Sequence, residues 1–240
     1  MTIGLDGSVW LANGGTPSNT VQQVKQINGV WIAQSPIEVG LEPWGITTGL
    51  DGSIWVANTG SNTVQQISND QGQWIAQPAI GLGFGVTYPY AMANAPDGSI
   101  WVSVGYDASS AVQQILNTEG KWIPQKPIST NQDVSSISFA PDGSIWLSCL
   151  GESNSIDASS LQQIVKINGV WTPQTGITIP SLPNDVVVTD DGSIFVAMPD
   201  YQGAIIQIGG DYVPINPWMG INVPSFNWSS PQATLRFSRH

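Results

Sequence analysis

Along this 240-residue chain, apolar side chains fall in short alternating runs separated by Gly, Asn, Asp and Pro, and no stretch shows a helical period. Ser53–Asn58 alternates Ile, Val and Ala with polar or aromatic residues, the period of two expected of a strand. Before it lie an apolar strand candidate, Ile46–Gly49, and Asp51-Gly52, a hairpin signal because glycine accepts positive φ. After it, Thr63–Ser68 predicts a third strand. A turn containing Asn69, Asp70 and Gly72 then leads into a fourth, Trp74–Ala79.

This unit recurs. Asp-Gly-Ser-Val/Ile-Trp/Phe begins at Asp6, Asp51, Asp97, Asp142 and Asp191, at intervals of 45, 46, 45 and 49 residues. Val-Gln-Gln-Ile or a near relative follows at Val21, Val64, Val112, Leu161 and, degenerate, Ile205. An aromatic opens each fourth strand at Trp31, Trp74, Trp122, Trp171 and Tyr212. Four short strands per repeat match the radial blade of a propeller. The expected fold is therefore all-β, a five-bladed β-propeller of four-stranded antiparallel blades forming one domain over 1-240. Its units run approximately 1-45, 46-91, 92-136, 137-185 and 186-240. Pro231–Phe237 aligns with Pro43–Gly49, and Met1–Gly4 with Ile46–Gly49. The two ends are thus expected to meet in one blade and close the ring, with Thr234–Phe237 as its inner strand, removing an exposed sheet edge. A piece of a larger propeller, or a ring completed between chains, is the alternative.

Pro43-Trp44-Gly45-Ile46, Asp51-Gly52-Ser53-Ile54-Trp55-Val56-Ala57 and Asn62-Thr63-Val64-Gln65-Gln66-Ile67 resemble the blade consensus of NHL-type and virginiamycin B lyase-like propellers. The likeness covers essentially the whole chain and speaks to fold, since one fold hosts many activities. It implies, for a lyase, histidines and a glutamate working with a divalent metal. This chain departs from that pattern: its single histidine is His240, the last residue.

Repeat spacing separates two faces. Turn Asp to second-strand aromatic is constant, as is first Gln to fourth-strand aromatic in four units, whereas the loops after the second and fourth strands vary in length. In an up-and-down meander those variable loops share one face, and loops on a rigid scaffold usually carry binding. Glu38, Glu42, Asp107, Asp133, Glu152, Asp157, Asp185 and Asp200 fall there, without a clear Lys or Arg. An innermost ring immediately before the first strand of each blade reads Trp44, Tyr90, Ser135, Asn184 and Gln232. Tyr106, Tyr201, Trp218 and Trp228 lie in the same loops. These nine residues are the candidate ligand contacts, suited to stacking on sugar rings or caging a cation; ordinary loop packing is the plain alternative. The repeated Trp10, Trp55, Trp101, Trp146 and Phe195 are expected to pack between blades.

Composition narrows the function. Six Lys and Arg against seventeen Asp and Glu give a net charge of −11, which argues against nucleic-acid and anionic-membrane partners. One cysteine, Cys149, excludes an intrachain disulfide and a Cys-based zinc cluster. No apolar run reaches the roughly 20 residues of a membrane span, and few charges with abundant Trp, Asn and Gln lean towards a secreted bacterial protein. The leading expectation is a monomeric, non-catalytic binding propeller for a neutral carbohydrate or small polar or cationic ligand, needing no cofactor, with a divalent cation left open. A carboxylate-based lyase or hydrolase, and a structural or protein-interaction repeat, are the alternatives.

Overall fold

The computed structural model describes residues 1–83, 88–105, 110–151, 159–179 and 181–198, with the backbone of 204–208. It is all-β. Among the described residues the sole helical piece is a single 3-10 turn, Thr59–Ser61.

Five antiparallel sheets follow one another along the chain. The first holds β1 (Thr2–Ile3), β2 (Val9–Asn13), β3 (Thr20–Ile27), β4 (Val30–Ala33) and β5 (Ile37–Glu38). The second holds β6 (Pro43–Thr48), β7 (Ile54–Asn58), β8 (Thr63–Asp70), β9 (Gln73–Ala76) and β10 (Ile80–Gly81). The third comprises β11 (Met92–Asn94), β12 (Ile100–Val104), β13 (Ala111–Thr118), β14 (Lys121–Pro124) and β15 (Ile128–Ser129). The fourth comprises β16 (Asp133–Phe139), β17 (Ile145–Leu150), β18 (Ser160–Ile167), β19 (Val170–Pro173) and β20 (Ile177–Thr178). The fifth shows β21 (Asp185–Val188), β22 (Ile194–Met198) and β23 (Ala204–Ile208). At the amino end, Thr2 and Ile3 pair with Trp10 and Val9, so the Met1–Gly4 segment supplies the inner strand of the first sheet. Thr234–Phe237, expected in that place, lies outside the described residues.

One expectation needs correction. In the first four units, where the outer strand is described, the fourth strand is not a single run such as Trp74–Ala79. It breaks into β9 and β10, both paired to β8: Ala76 faces Ile67, Ile80 faces Val64, and Gln77-Pro78-Ala79 bulges between. Proline lacks the N–H a ladder needs and sits in the bulge. The first glutamine of each pair caps it: Gln22, Gln65, Gln113 and Gln162 donate Nε2–H to the carbonyls of Gln34, Gln77, Gln125 and Gln174 at 2.7–3.1 Å. Neither amide of the pair is therefore simply turned outward.

The second glutamine joins the hairpin turn. In the first unit, Asp6 Oδ1 accepts from Ser8 N–H at 3.0 Å and from Ser8 O–H at 2.5 Å. Ser8 Oγ in turn accepts from Trp10 Nε1–H at 3.1 Å and Gln23 Nε2–H at 2.9 Å. Asp97, Ser99, Trp101 and Gln114 repeat the arrangement. A serine hydroxyl offers one donor and two acceptor sites, and all three are used. The indoles so held are fully buried and reach across to the next sheet: Trp10 meets Trp74, Trp55 meets Trp122 and Trp101 meets Trp171, edge to face, with centroids 4.6–5.2 Å apart. The expectation of packing between units holds for these three.

Apolar cores accordingly lie between sheets. Trp55, Ala57 and Val64 of the second pack on Ile100, Val102 and Ile115 of the third, and the third meets the fourth around Trp101, Leu147 and Cys149. Burial pushes the Cys149 thiol up to about 12; the nearby negative charge of Asp133 works in the same direction, against a hydrogen bond with Ser160. The folded chain should thus keep this proton where the unfolded chain loses it. The Cys149 contribution to stability is then complete below about pH 9 and declines as pH rises from there towards 12. Urea unfolding of wild type minus that of Cys149→Ala, repeated from pH 7 to 10.5, should show this decline only at the alkaline end, and Cys149 should resist aromatic disulfide reagents until the protein unfolds.

Candidate functional site

The inner strands carry a shared irregularity. Pro43 faces Asn58 and Ile46 faces Val56, so Trp44 and Gly45 together oppose one residue, Ala57. Val134 faces Cys149 and Ser136 faces Ser148, which places Ser135 on a bulge. Tyr90 N–H donates to the Ser103 carbonyl while Ser103 N–H donates to that of Ala91. Asn184 N–H donates to the Ala197 carbonyl, and Asp185 pairs with the same residue. Four of the five ring candidates therefore occupy one structural position, a β-bulge at the start of an inner strand. Bulges re-aim side chains and recur beside functional sites.

Three of them come together. Trp44, Tyr90 and Ser135 border a cavity of about 200 Å³ where the second, third and fourth sheets converge. Ile46, Met92 and Ile137 supply its apolar wall; sequence reasoning passed over them, although each lies two residues beyond a ring candidate. The Trp44 and Tyr90 rings stand 5.8 Å apart, tilted by 33°, and are 50% and 45% exposed. Ser135 Oγ lies 2.8 Å from Ser148 Oγ and donates to the Pro183 carbonyl at 3.0 Å. Its hydroxyl ties the fourth sheet to the fifth, which leaves it poorly placed as a nucleophile. Asn184 is exposed and does not line the cavity. Tyr106, Tyr201, Trp218, Trp228 and Gln232 lie outside the described residues.

The acidic character expected of this face does not reach the cavity. Of the loop acids, Glu38, Glu42, Asp133 and Asp185 are described, and none lines it. Glu42 accepts from Thr16 O–H at 2.6 Å, Asp133 from Ser110 O–H, and Asp185 from Ser136 O–H at 2.5 Å and Val186 N–H at 2.9 Å. These carboxylates hold loops and inner strands in place, as short polar side chains near turns commonly do. Asp107, Glu152, Asp157 and Asp200 lie outside the described residues, and among those described no group of three or more His, Cys, Asp or Glu could hold a metal ion.

With this geometry in view, solved structures give a consistent comparison. A streptogramin B lyase matches with a TM-score of 0.65 at 19% identity, over 88% of this chain and 65% of its own. A catalytically inactive virginiamycin B lyase from Staphylococcus aureus, solved with quinupristin, matches with a TM-score of 0.64 at 17% identity, over 88% and 66%. The fold is a β-propeller. A gluconolactonase from Xanthomonas campestris has the same fold, with a TM-score of 0.58 at 14% identity over 88% of this chain and 81% of its own. The chain spans about two thirds of the lyase structures' length. No protein-family model matches the sequence. No curated protein matches it either. The resemblance therefore speaks for the propeller fold alone.

The mouth depends on a close approach. A Cβ added at Gly45 would lie 1.9 Å from the Tyr90 carbonyl oxygen and 3.0 Å from its carbon, both backbone atoms that cannot rotate aside. Gly45→Ala should force the second and third inner strands apart, costing about 1–3 kcal/mol as overpacked sites do. Urea denaturation followed by circular dichroism would measure it.

Proposed function

We propose that this protein is a non-catalytic binding propeller that holds a neutral carbohydrate or a small polar or cationic ligand at the Trp44–Tyr90 mouth. One observation carries this reading: two large aromatics stay about half exposed beside a cavity when the equivalent cost of leaving such surface in water favours covering them. A saccharide or organic cation would cover both ring faces at once. Ser135 and Ser136 add polar atoms at the rim. The lyase and lactonase neighbours suggest an enzyme instead. Against that stand the lone His240 and the engagement of the described carboxylates Asp133 and Asp185 with serine hydroxyls. Trp44→Ala combined with Tyr90→Ala should weaken binding of a ligand found by glycan-array or small-molecule screening by roughly 1–3 kcal/mol, with the fold retained by circular dichroism. Unchanged affinity in the double variant would refute the site.

The architectural half of the proposal is a monomeric ring of five units, closed by the last upon the first. Second-strand aromatics meet the fourth-strand Trp of the following unit three times over. Trp146 comes next in that series, its counterpart Tyr212 lying outside the described residues, and the two ends that remain are Phe195 of β22 and Trp31 of β4. Phe195 has the register of Trp55, each facing the second glutamine position of its unit, Gln207 and Gln66. Trp31 is 53% exposed among the described residues, unlike the half-buried Trp74, Trp122 and Trp171. Closure seats Phe195 on Trp31. Trp31→Ala should then destabilise the chain by about 3–5 kcal/mol, as Trp74→Ala should. In an open array it would cost under about 1 kcal/mol, the scale of a surface change. Parallel urea titrations of the two variants decide between them.

A further inference from the structure

A second cavity, of about 270 Å³, opens on the opposite face, between the Asp-Gly-Ser turns of the second and third units. Its walls are Leu50, Leu116 and the Trp122 indole, and its polar groups come from Asp51, Asp97 and Asn117. Each aspartate commits one oxygen to its own turn. Asp51 Oδ1 accepts from Ser53 N–H and O–H, and Asp97 Oδ1 from Ser99 N–H and O–H. Asp51 Oδ2 has a long contact of 3.5 Å with Gln66 Nε2, and among the described residues Asp97 Oδ2 has no hydrogen bond. Asn117 Oδ1 accepts from Gly120 N–H at 2.9 Å, which leaves its amide NH2 as a donor. Leu50 is 59% exposed at the rim.

We propose that this groove between units binds a pyranose. Neighbouring sugar hydroxyls donate to the outer oxygens of Asp51 and Asp97, bonds strengthened by carboxylate charge. The Asn117 amide donates to a third hydroxyl or the ring oxygen, and the apolar sugar face lies against Leu50, Leu116 and the exposed part of Trp122. A sugar uses the paired acceptors and the apolar wall together. A compact cation would use the carboxylates alone and leave the apolar wall of Leu50, Leu116 and Trp122 uncovered.

The neighbouring seams show why this one is singled out. Between the third and fourth units, the position of Asn117 is taken by Lys166, whose Nζ lies 5.1 Å over the Trp171 ring and covers the equivalent surface. Between the first and second units, Ser68 replaces Leu116 and its Oγ accepts from Gln77 Nε2–H at 2.8 Å, so the wall there is polar. The groove goes beyond the Trp44–Tyr90 reading and stands or falls without it.

The test uses the full chain and methyl pyranosides of the gluco, galacto, manno and fuco series, by saturation-transfer NMR and then tryptophan fluorescence titration. At least one glycoside should bind, roughly in the millimolar range that so small a ligand permits. Asp97→Asn and Asp51→Asn keep the turn acceptor but replace the outer oxygen by a donor; each should weaken binding at least tenfold. Asn117→Ala should weaken it less, and the Trp44/Tyr90 double variant should leave it unchanged. The groove is refuted if no glycoside binds, if tetramethylammonium binds there and no glycoside does, or if both aspartate variants retain full affinity. Binding lost in the Trp44/Tyr90 variant but kept in the aspartate variants would also refute it, while supporting the other site.

Discussion

An indole ring held by a serine hydroxyl and set edge-on against an indole of the next sheet is the contact on which the remaining architecture rests. Trp10, Trp55 and Trp101 each donate Nε1–H to the serine of their own hairpin turn at 3.1–3.2 Å. That bond fixes the ring plane and satisfies a donor that burial would otherwise leave costly. A fixed ring plane then sets the angle at which the neighbouring sheet approaches. Aromatic pairs of this geometry contribute about 0.5–1.5 kcal/mol beyond the area they bury. Their larger effect is orientation, because the same angle is imposed at successive seams and a stack of sheets becomes an arc.

The angle has consequences at the inner end. Sheets that fan about a common axis bring their first strands close, and there is little room for side chains. Gly45 lies against the Tyr90 carbonyl, and the Thr2 and Thr48 hydroxyls meet 3.1 Å apart between the first two units. Further along, Ser138 Oγ accepts from Val188 N–H at 3.0 Å. Small or hydroxylated residues make these approaches, and backbone groups find partners across sheet boundaries as buried polar groups must. Where the inner strands of the second, third and fourth sheets begin, a bulge turns Trp44, Tyr90 and Ser135 towards the mouth. The scaffold thus presents a variable residue at a repeated position, so a site can differ from its neighbours without altering the fold.

Two surfaces of opposite character result. The mouth is aromatic and hydroxyl-lined, and Glu42, Asp133 and Asp185 of its described loops are spent on holding loops and inner strands. The turn face is regular, and Asp51 and Asp97 each commit one oxygen to a turn while lining a groove between units. The hairpin turn by itself accounts for the regularity of these aspartates. A carboxylate has two oxygens, however, and a turn needs only one of them.

The repeat, the strand order, the hairpin turns and the burial of the second-strand indoles were legible in the sequence because each rests on local chemistry at fixed spacing. Asp-Gly admits the positive φ of Gly52 at 81°, and alternation marks Ile54–Asn58 as a strand, one that the structure buries on both faces. The ring position of Trp44, Tyr90, Ser135 and Asn184 was legible for the same reason, by alignment of the units. The split of the outer strand at Gln77-Pro78-Ala79 was not, since it depends on a capping bond from Gln65, twelve residues away. Nor could sequence say that Asn184 stands apart from the cavity, that Asp133 and Asp185 are engaged by Ser110 and Ser136, or that Lys166 covers one seam while Asn117 leaves another open. Those outcomes are set by distances between units distant in the chain, and a repeat encodes what each unit is, whereas only the angle between packed sheets decides which side chains of different units meet.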